Sequence, residues 1–135
     1  MLHHIELYVS DLERAIEFWT PLMELLGCDA ERWSEGMNYF GTEGEPYISL
    51  LQASEAHASG GFHRKRVGLN HLALRAQSRE QVDDVRAWVK EAGYRLLYDD
   101  RYPFATAPGY YAVFCEDPDR IKVEVVAPSE AQPLG

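Results

Sequence analysis

Apolar and polar side chains alternate along residues 2–9. Ile5, Leu7 and Val9 share one parity and His4, Glu6 and Tyr8 the other, which describes a strand with one face on a core. The period then changes. Leu12, Ala15, Ile16, Trp19, Leu22, Met23 and Leu26 recur at helical spacing, behind a Ser10-Asp11-Leu12-Glu13 capping box and ahead of Gly27. This predicts a helix over 11–26, kinked or broken at Pro21, because proline in a helix interior costs about 3 kcal/mol. Short strands are predicted over 30–34, 37–41 and 46–52, parted by Gly36 and by the turn Glu43-Gly44-Glu45-Pro46.

Half a chain length later the order repeats. Residues 67–76 read as a strand in which Leu72 and Leu74 oppose His71, Ala73 and Arg75. A second capping box, Ser78-Arg79-Glu80-Gln81, opens a helix over 78–92 with a stripe of Val82, Val85, Val89 and Ala92, and Gly93 ends it. Strands are predicted over 94–98, 109–116 and 121–126, the last after the turn Asp117-Pro118-Asp119-Arg120. Histidine, cap, stripe and glycine in one order twice mark an internal repeat. The chain therefore reads as α+β. Two β-α-β-β-β units, 2–52 and 67–127, are joined by an aperiodic linker at 53–66 and followed by a loose tail at 128–135. Its 135 residues suit a single domain that buries a core.

Charge narrows the partners. Thirteen Lys and Arg against twenty-two Asp and Glu leave a formal charge of −9, which disfavours nucleic acid. The basic cluster His63-Arg64-Lys65-Arg66 reads as a solvated linker, with anchoring of an anionic substrate as its alternative. No apolar run approaches the roughly 18 residues that span a bilayer, and the opening residues do not resemble a signal peptide. Cys28 and Cys115 form no CxxC pair and are expected to be reduced in a cytoplasmic protein, Cys115 as a buried packing residue.

Parity also selects the candidate chemistry. His4 lies on the wet face of the first strand, and His71 on the corresponding face of its repeat. Glu124 opposes Ile121, Val123 and Val125 in the last strand. Two imidazoles and a carboxylate are a ligand set for one divalent metal with open positions, whether Zn, Mn, Ni or Fe(II). The repeat pairs Glu124 with Ser49, a poor metal ligand, so three protein ligands leave room for substrate or water. Glu6 and Tyr8 share the parity of His4 and are candidate substrate contacts, as is Ser49. Arg75 is a candidate to orient a substrate carboxylate. No general base stands out.

The strings HHIELYVSDLERAIEFW, LNHLAL and GYYAVFCEDPDRIKVEVV, set in paired β-α-β-β-β units, resemble the vicinal oxygen chelate superfamily over about residues 2–127. That superfamily includes glyoxalase I, methylmalonyl-CoA epimerase, extradiol dioxygenases, fosfomycin-inactivating thiol transferases and metal-free bleomycin-binding proteins. The resemblance implies curved mixed sheets forming a metal-binding cup, a metal held by His4, His71 and Glu124, and a substrate that chelates it through two neighbouring oxygens. Ser49 stands where glyoxalase I carries glutamate and the epimerase glutamine. Phe114 stands where ring-cleaving dioxygenases carry tyrosine, and Arg120 where a glycine is usual. Ser49 argues against a strict glyoxalase I, Phe114 argues against a ring-cleaving dioxygenase, and Arg120 carries no functional reading. The leading expectation is a glyoxalase-like metal-dependent lyase or isomerase acting on a small oxygenated metabolite. The alternatives are a metal-free binding or sequestering protein and an oxygenase.

The aromatic load points to assembly. Trp33, Tyr39, Phe40 and Tyr47 crowd the short strands of the first copy, more than one small core is expected to hold. With open sheet edges, this predicts a symmetric homodimer.

Overall fold

Each histidine-led run builds one four-stranded sheet with a helix against it. The computed structural model describes residues 1–129. Strand β1 (His4–Val9), helix α1 (Leu12–Leu25) and strands β2 (Asp29–Trp33), β3 (Gly36–Phe40) and β4 (Tyr47–Gln52) come first. A one-turn helix α2 (Glu55–Ala58) follows. The order then recurs as β5 (Leu72–Arg75), α3 (Arg79–Ala92), β6 (Arg95–Leu97), a 3-10 turn at Asp99–Arg101, β7 (Ala112–Glu116) and β8 (Lys122–Val126). Two compact units result: Met1–His63 with Asp117–Ile121, and Arg64–Glu116 with the strand opening at Lys122.

The two sheets have the same plan. One runs β1-β4-β3-β2 and the other β5-β8-β7-β6, with the histidine-led strand at an edge, parallel to its neighbour, and the rest antiparallel. This is a mixed α+β fold of two four-stranded sheets. In the first unit α1 lays Phe18, Trp19 and Leu22, all fully buried, against β2, β3 and β4. In the second, α3 lays Val82, Val85 and Val89 against β6, β7 and β8, where Val113, Val123 and Val125 complete the core. Burying each such side chain contributes about 1.5–3 kcal/mol.

Several local expectations are corrected. Asp11, not Ser10, caps α1, its side chain accepting from the Arg14 N–H at 3.2 Å. Ser10 is drawn away by Asp119, which takes both its N–H (2.9 Å) and its hydroxyl (2.5 Å). Ser78 does cap α3, accepting from Gln81 N–H, and Gln81 reaches back to the Gln77 N–H. Pro21 does not break α1, because the residues around it, Phe18, Trp19, Leu22 and Met23, are all held in the core. The linker is not wholly irregular, since α2 lies within it. The second histidine-led strand is shorter than expected, and His71 stands just ahead of it. Tyr39 fits the core, fully buried with its hydroxyl 2.7 Å from Thr20 Oγ1. Trp33, Phe40 and Tyr47 are half-buried. Of the expected tail, residues 130–135 lie outside the described residues.

Two backbone positions fix the frame. A Cβ on Gly36 would sit 2.0 Å from the Leu50 carbonyl oxygen, so only glycine lets β3 approach β4 there. Arg120 takes φ 66, the left-handed conformation that glycine normally supplies, and the turn keeps its Arg120 N–H to Asp117 carbonyl bond of 2.9 Å.

Candidate functional site

In the second unit the β5–β8 ladder sets the site. Leu72 pairs with Val123 and Ala73 with Glu124, so His71 stands one step back beside Lys122. On the other side of β8, Phe114 of β7 lies directly opposite Glu124. Glu124 is buried at 4% exposure, and a buried carboxylate needs partners. It has two: His71 Nε2 lies 3.2 Å from Oε1, and the Tyr110 hydroxyl donates to Oε2. That bond, with burial behind it, pushes the Tyr110 phenol up to about 12.

The proton on His71 is placed by its neighbour. Nδ1 lies 2.7 Å from Asn70 Oδ1, an acceptor, so with the amide oriented this way Nδ1 donates. Nε2 then turns its lone pair toward a carboxylate oxygen. Two lone-pair donors facing each other at 3.2 Å are reconciled only by a proton or a metal cation between them. This edge therefore brings together two of the three expected donors, His71 Nε2 and Glu124 Oε1.

These groups line a cavity of about 440 Å³, with Tyr98, Arg101, Thr106 and Lys122 on its other walls. Lys122 Nζ donates to the Tyr98 hydroxyl at 3.1 Å and lies 4.9 Å from the Tyr98 ring and 5.3 Å from the Phe114 ring. Arg101 stands 5.4 Å over the Tyr98 ring. The Lys122 hydrogen bond, with the charges of Lys122, Arg64 and Arg101, lowers the Tyr98 pKa despite partial burial. Tyr98 holds φ 57, a strained value for a residue with a side chain, and such strain clusters at functional positions.

The loop over 99–111 is tied to α3. Asp83 accepts from the hydroxyls of both Tyr102 and Tyr111, and Arg86 forks onto Asp99 at 2.7 and 3.0 Å. Arg86 also stacks 4.8 Å over the Tyr102 ring. These ties hold the loop that carries Arg101, Thr106 and Tyr110.

In the first unit the corresponding positions differ. The His4 ring stacks on Tyr47, its ladder partner, at 4.9 Å, and its Nδ1 meets His3 Nδ1 at 2.8 Å. Its Nε2 lies 3.7 Å from Glu6 Oε1. Ser49 pairs with Glu6 and occupies the place on β4 that Glu124 occupies on β8. It is 2% exposed, and its Oγ is buried with no hydrogen-bond partner among the described residues. Tyr8 lines a different cavity of about 590 Å³ with Gln52, His57 and Phe62. Arg75 is exposed at the far end of β5.

Of the expected site residues, His71 and Glu124 are thus brought together, and His4 and Glu6 neighbour each other in the first unit. Among the described residues no three His, Cys, Asp or Glu side chains gather in a group that could hold a metal ion. Sequence reasoning missed Tyr98, Arg101 and Tyr110. Lys122 carried a signal, because it shares the parity of Glu124, but its charge was not read as part of the site.

Comparison with known proteins gives one family and near relatives. Residues 1–125 match the family described as Glyoxalase/Bleomycin resistance protein/Dioxygenase superfamily. The uncharacterised YqjT protein of Bacillus subtilis strain 168 is 51% identical over 129 residues, 95% of this chain and 99% of that one. The crystal structure of a candidate glyoxalase from Bacillus halodurans superposes with a TM-score of 0.87 at 50% identity, covering 95% of this chain and 96% of that one. A lactoylglutathione lyase from Agrobacterium tumefaciens shares the fold at a TM-score of 0.62 and 20% identity, over 96% and 94% of the two chains.

Proposed function

Because this chain belongs to the glyoxalase/bleomycin resistance protein/dioxygenase superfamily, we propose that it is a metal-dependent lyase or isomerase of the glyoxalase kind, acting on a small oxygenated metabolite. His4, His71 and Glu124 would hold one divalent ion. The observation that carries this reading is His71 Nε2 standing 3.2 Å from the buried Glu124 Oε1, with Nδ1 2.7 Å from Asn70 Oδ1. When bound, such an ion supplies Lewis acidity that polarises a carbonyl and favours enediolate-like charge.

The chain's own residues supply the rest. Asn70 keeps His71 in the tautomer that presents Nε2. Tyr110 holds its proton on the Glu124 carboxylate and fixes that side chain's orientation. Phe114 and Tyr98 give the cavity an aromatic wall, their rings 5.4 Å apart, that limits water beside Glu124.

The test is elemental analysis of protein purified without chelators, with turnover assays on a dicarbonyl, diol and CoA-thioester panel. One divalent ion per chain is expected, and His71→Ala should lose it. Full metal occupancy in the His4→Ala/His71→Ala double variant would sink the reading. Mixing His4→Ala with His71→Ala chains tests a second element of the proposal, a symmetric homodimer. Regained metal binding means that two copies share ligands, and a monomer mass in sedimentation at micromolar concentration refutes the dimer. A metal-free binding protein is the second reading. It is supported by the Tyr110 hydroxyl, which already engages one oxygen of the Glu124 carboxylate.

A further inference from the structure

The cavity beside Glu124 is cationic in a protein of net charge −9. Lys122 and Arg101 both line it, and among the described residues neither forms a salt bridge. Arg64, the third cation felt at Tyr98, is already engaged by Glu116 at 3.0 Å. A long cationic side chain normally extends into water or meets a carboxylate. Here two are gathered over one phenol instead, and the phenol's backbone is strained to hold it there.

We propose that Lys122 and Arg101, with the Tyr98 hydroxyl, form the anchor for a carboxylate of the substrate, whose apolar or flat body packs on Phe114 and Tyr98. This rests on reading the cavity as the substrate site and adds the substrate class: an organic acid rather than a neutral carbonyl compound. The ammonium has three donors and gives one to Tyr98. The guanidinium adds a planar fork suited to a carboxylate's two oxygens. The space is small, about 440 Å³, which suits a compact acid.

The experiment uses metal-free full-length protein and calorimetric titration with phenylacetate, phenylacetamide and inorganic phosphate. The acid and the amide share shape and differ in charge. Phenylacetate should bind about tenfold or more tighter than phenylacetamide, since charge-assisted contacts are roughly twice as strong as neutral ones. Lys122→Met should erase that preference, Arg101→Gln should reduce it several-fold, and Lys122→Arg should retain it. Thermal melts establish that each variant is folded, and exposed Arg101 provides an independent arm should Lys122→Met fail to fold. Equal affinity for acid and amide in the wild type overturns the proposal. So does an acid preference that survives both Lys122→Met and Arg101→Gln. Phosphate binding more tightly than phenylacetate overturns the carboxylate assignment. His4→Ala separates the two readings, because His4 does not line this cavity. Loss of metal with acid preference intact supports both. Metal binding without any acid preference removes this inference alone, and acid preference without metal binding in the wild type removes the proposed function alone.

Discussion

Trp19 and Asp117 form a buried pair whose strength should depend on pH. The indole N–H donates to Asp117 Oδ2 at 3.1 Å, and both residues are almost wholly buried. Asp117 Oδ1 accepts from the N–H groups of Asp119 (2.9 Å) and Ile121 (2.8 Å). Burial nonetheless dominates these donors and pushes the carboxyl up to about 6 from its ordinary 3.8, with the charge of Asp119 adding. The folded state therefore binds the proton more tightly than the unfolded chain. The stability this contributes is full below pH 3.8 and is lost as pH rises through about 6. Worked through the linkage relation, the loss between about pH 5 and pH 7.5 is about 1.4 kcal/mol.

Asp117→Asn cannot titrate, so the difference in unfolding free energy between wild type and variant should fall by that amount over the same interval. The new amide also turns an N–H₂ toward the indole N–H. That adds a penalty independent of pH, which leaves the slope as the readout. Trp19→Phe should cost about 3 kcal/mol near neutral pH, from a lost bond to a charged group and the vacated ring volume. It should also steepen the pH dependence, because one of the donors that lowers the pKa is gone. Urea unfolding across this pH range measures all three proteins. A wild-type-minus-Asn difference that stays flat with pH, or an Asp117 carboxyl carbon titrating below about 4 by NMR, would refute the reasoning.

Gly36→Ala should destabilise the protein by about 2–3 kcal/mol, because the added Cβ meets a backbone oxygen at 2.0 Å; the urea midpoint reports it. Ser49→Ala should raise stability by about 1 kcal/mol by removing a buried hydroxyl without a partner, and a lowered melting temperature would contradict this. Asp83→Ala should strip two tyrosine hydroxyls of their acceptor and cost about 2 kcal/mol. Amide exchange over 99–111 should quicken before global unfolding does, and unchanged exchange there would mean that Asp83 does not tether the loop.

What was legible in the sequence was what is local and periodic. Alternation at His4–Val9, the stripe of α3, Gly93 as its terminator and the twofold β-α-β-β-β order depend on near neighbours, and they stand in the structure. The Ser49–Glu124 correspondence could be read because strand register preserves spacing. What escaped depends on distant partners. Ser10 has every local qualification for a cap, but Asp119, far along the chain, claims it. Tyr39 looked surplus to a small core until Thr20 met its hydroxyl. Tyr98, Arg101 and Tyr110 lie on or beside a loop with no period, and the loop's course is set by Asp83 and Arg86 on α3. Lys122 was visible by parity, yet parity is silent on whether a charged side chain meets an ion partner or a cavity.

The parallel pairing of each histidine-led edge strand has a kinetic consequence. β2, β3 and β4 follow one another through short turns, so their hairpins close cheaply. β1 meets β4 only after the chain has passed through α1 and the whole meander, and β5 meets β8 in the same way. Loop-closure entropy predicts that these pairings form last and open first. On this expectation the strands carrying Ser49 and Glu124 pair within their meanders before the edge strands led by His4 and His71 join them. A ligand gripping both His71 and Glu124 would act as a latch on that final step. It would slow the release of β5 while leaving the meander's opening rate unchanged, a contrast that native-state exchange at Leu72 and Val113 can measure.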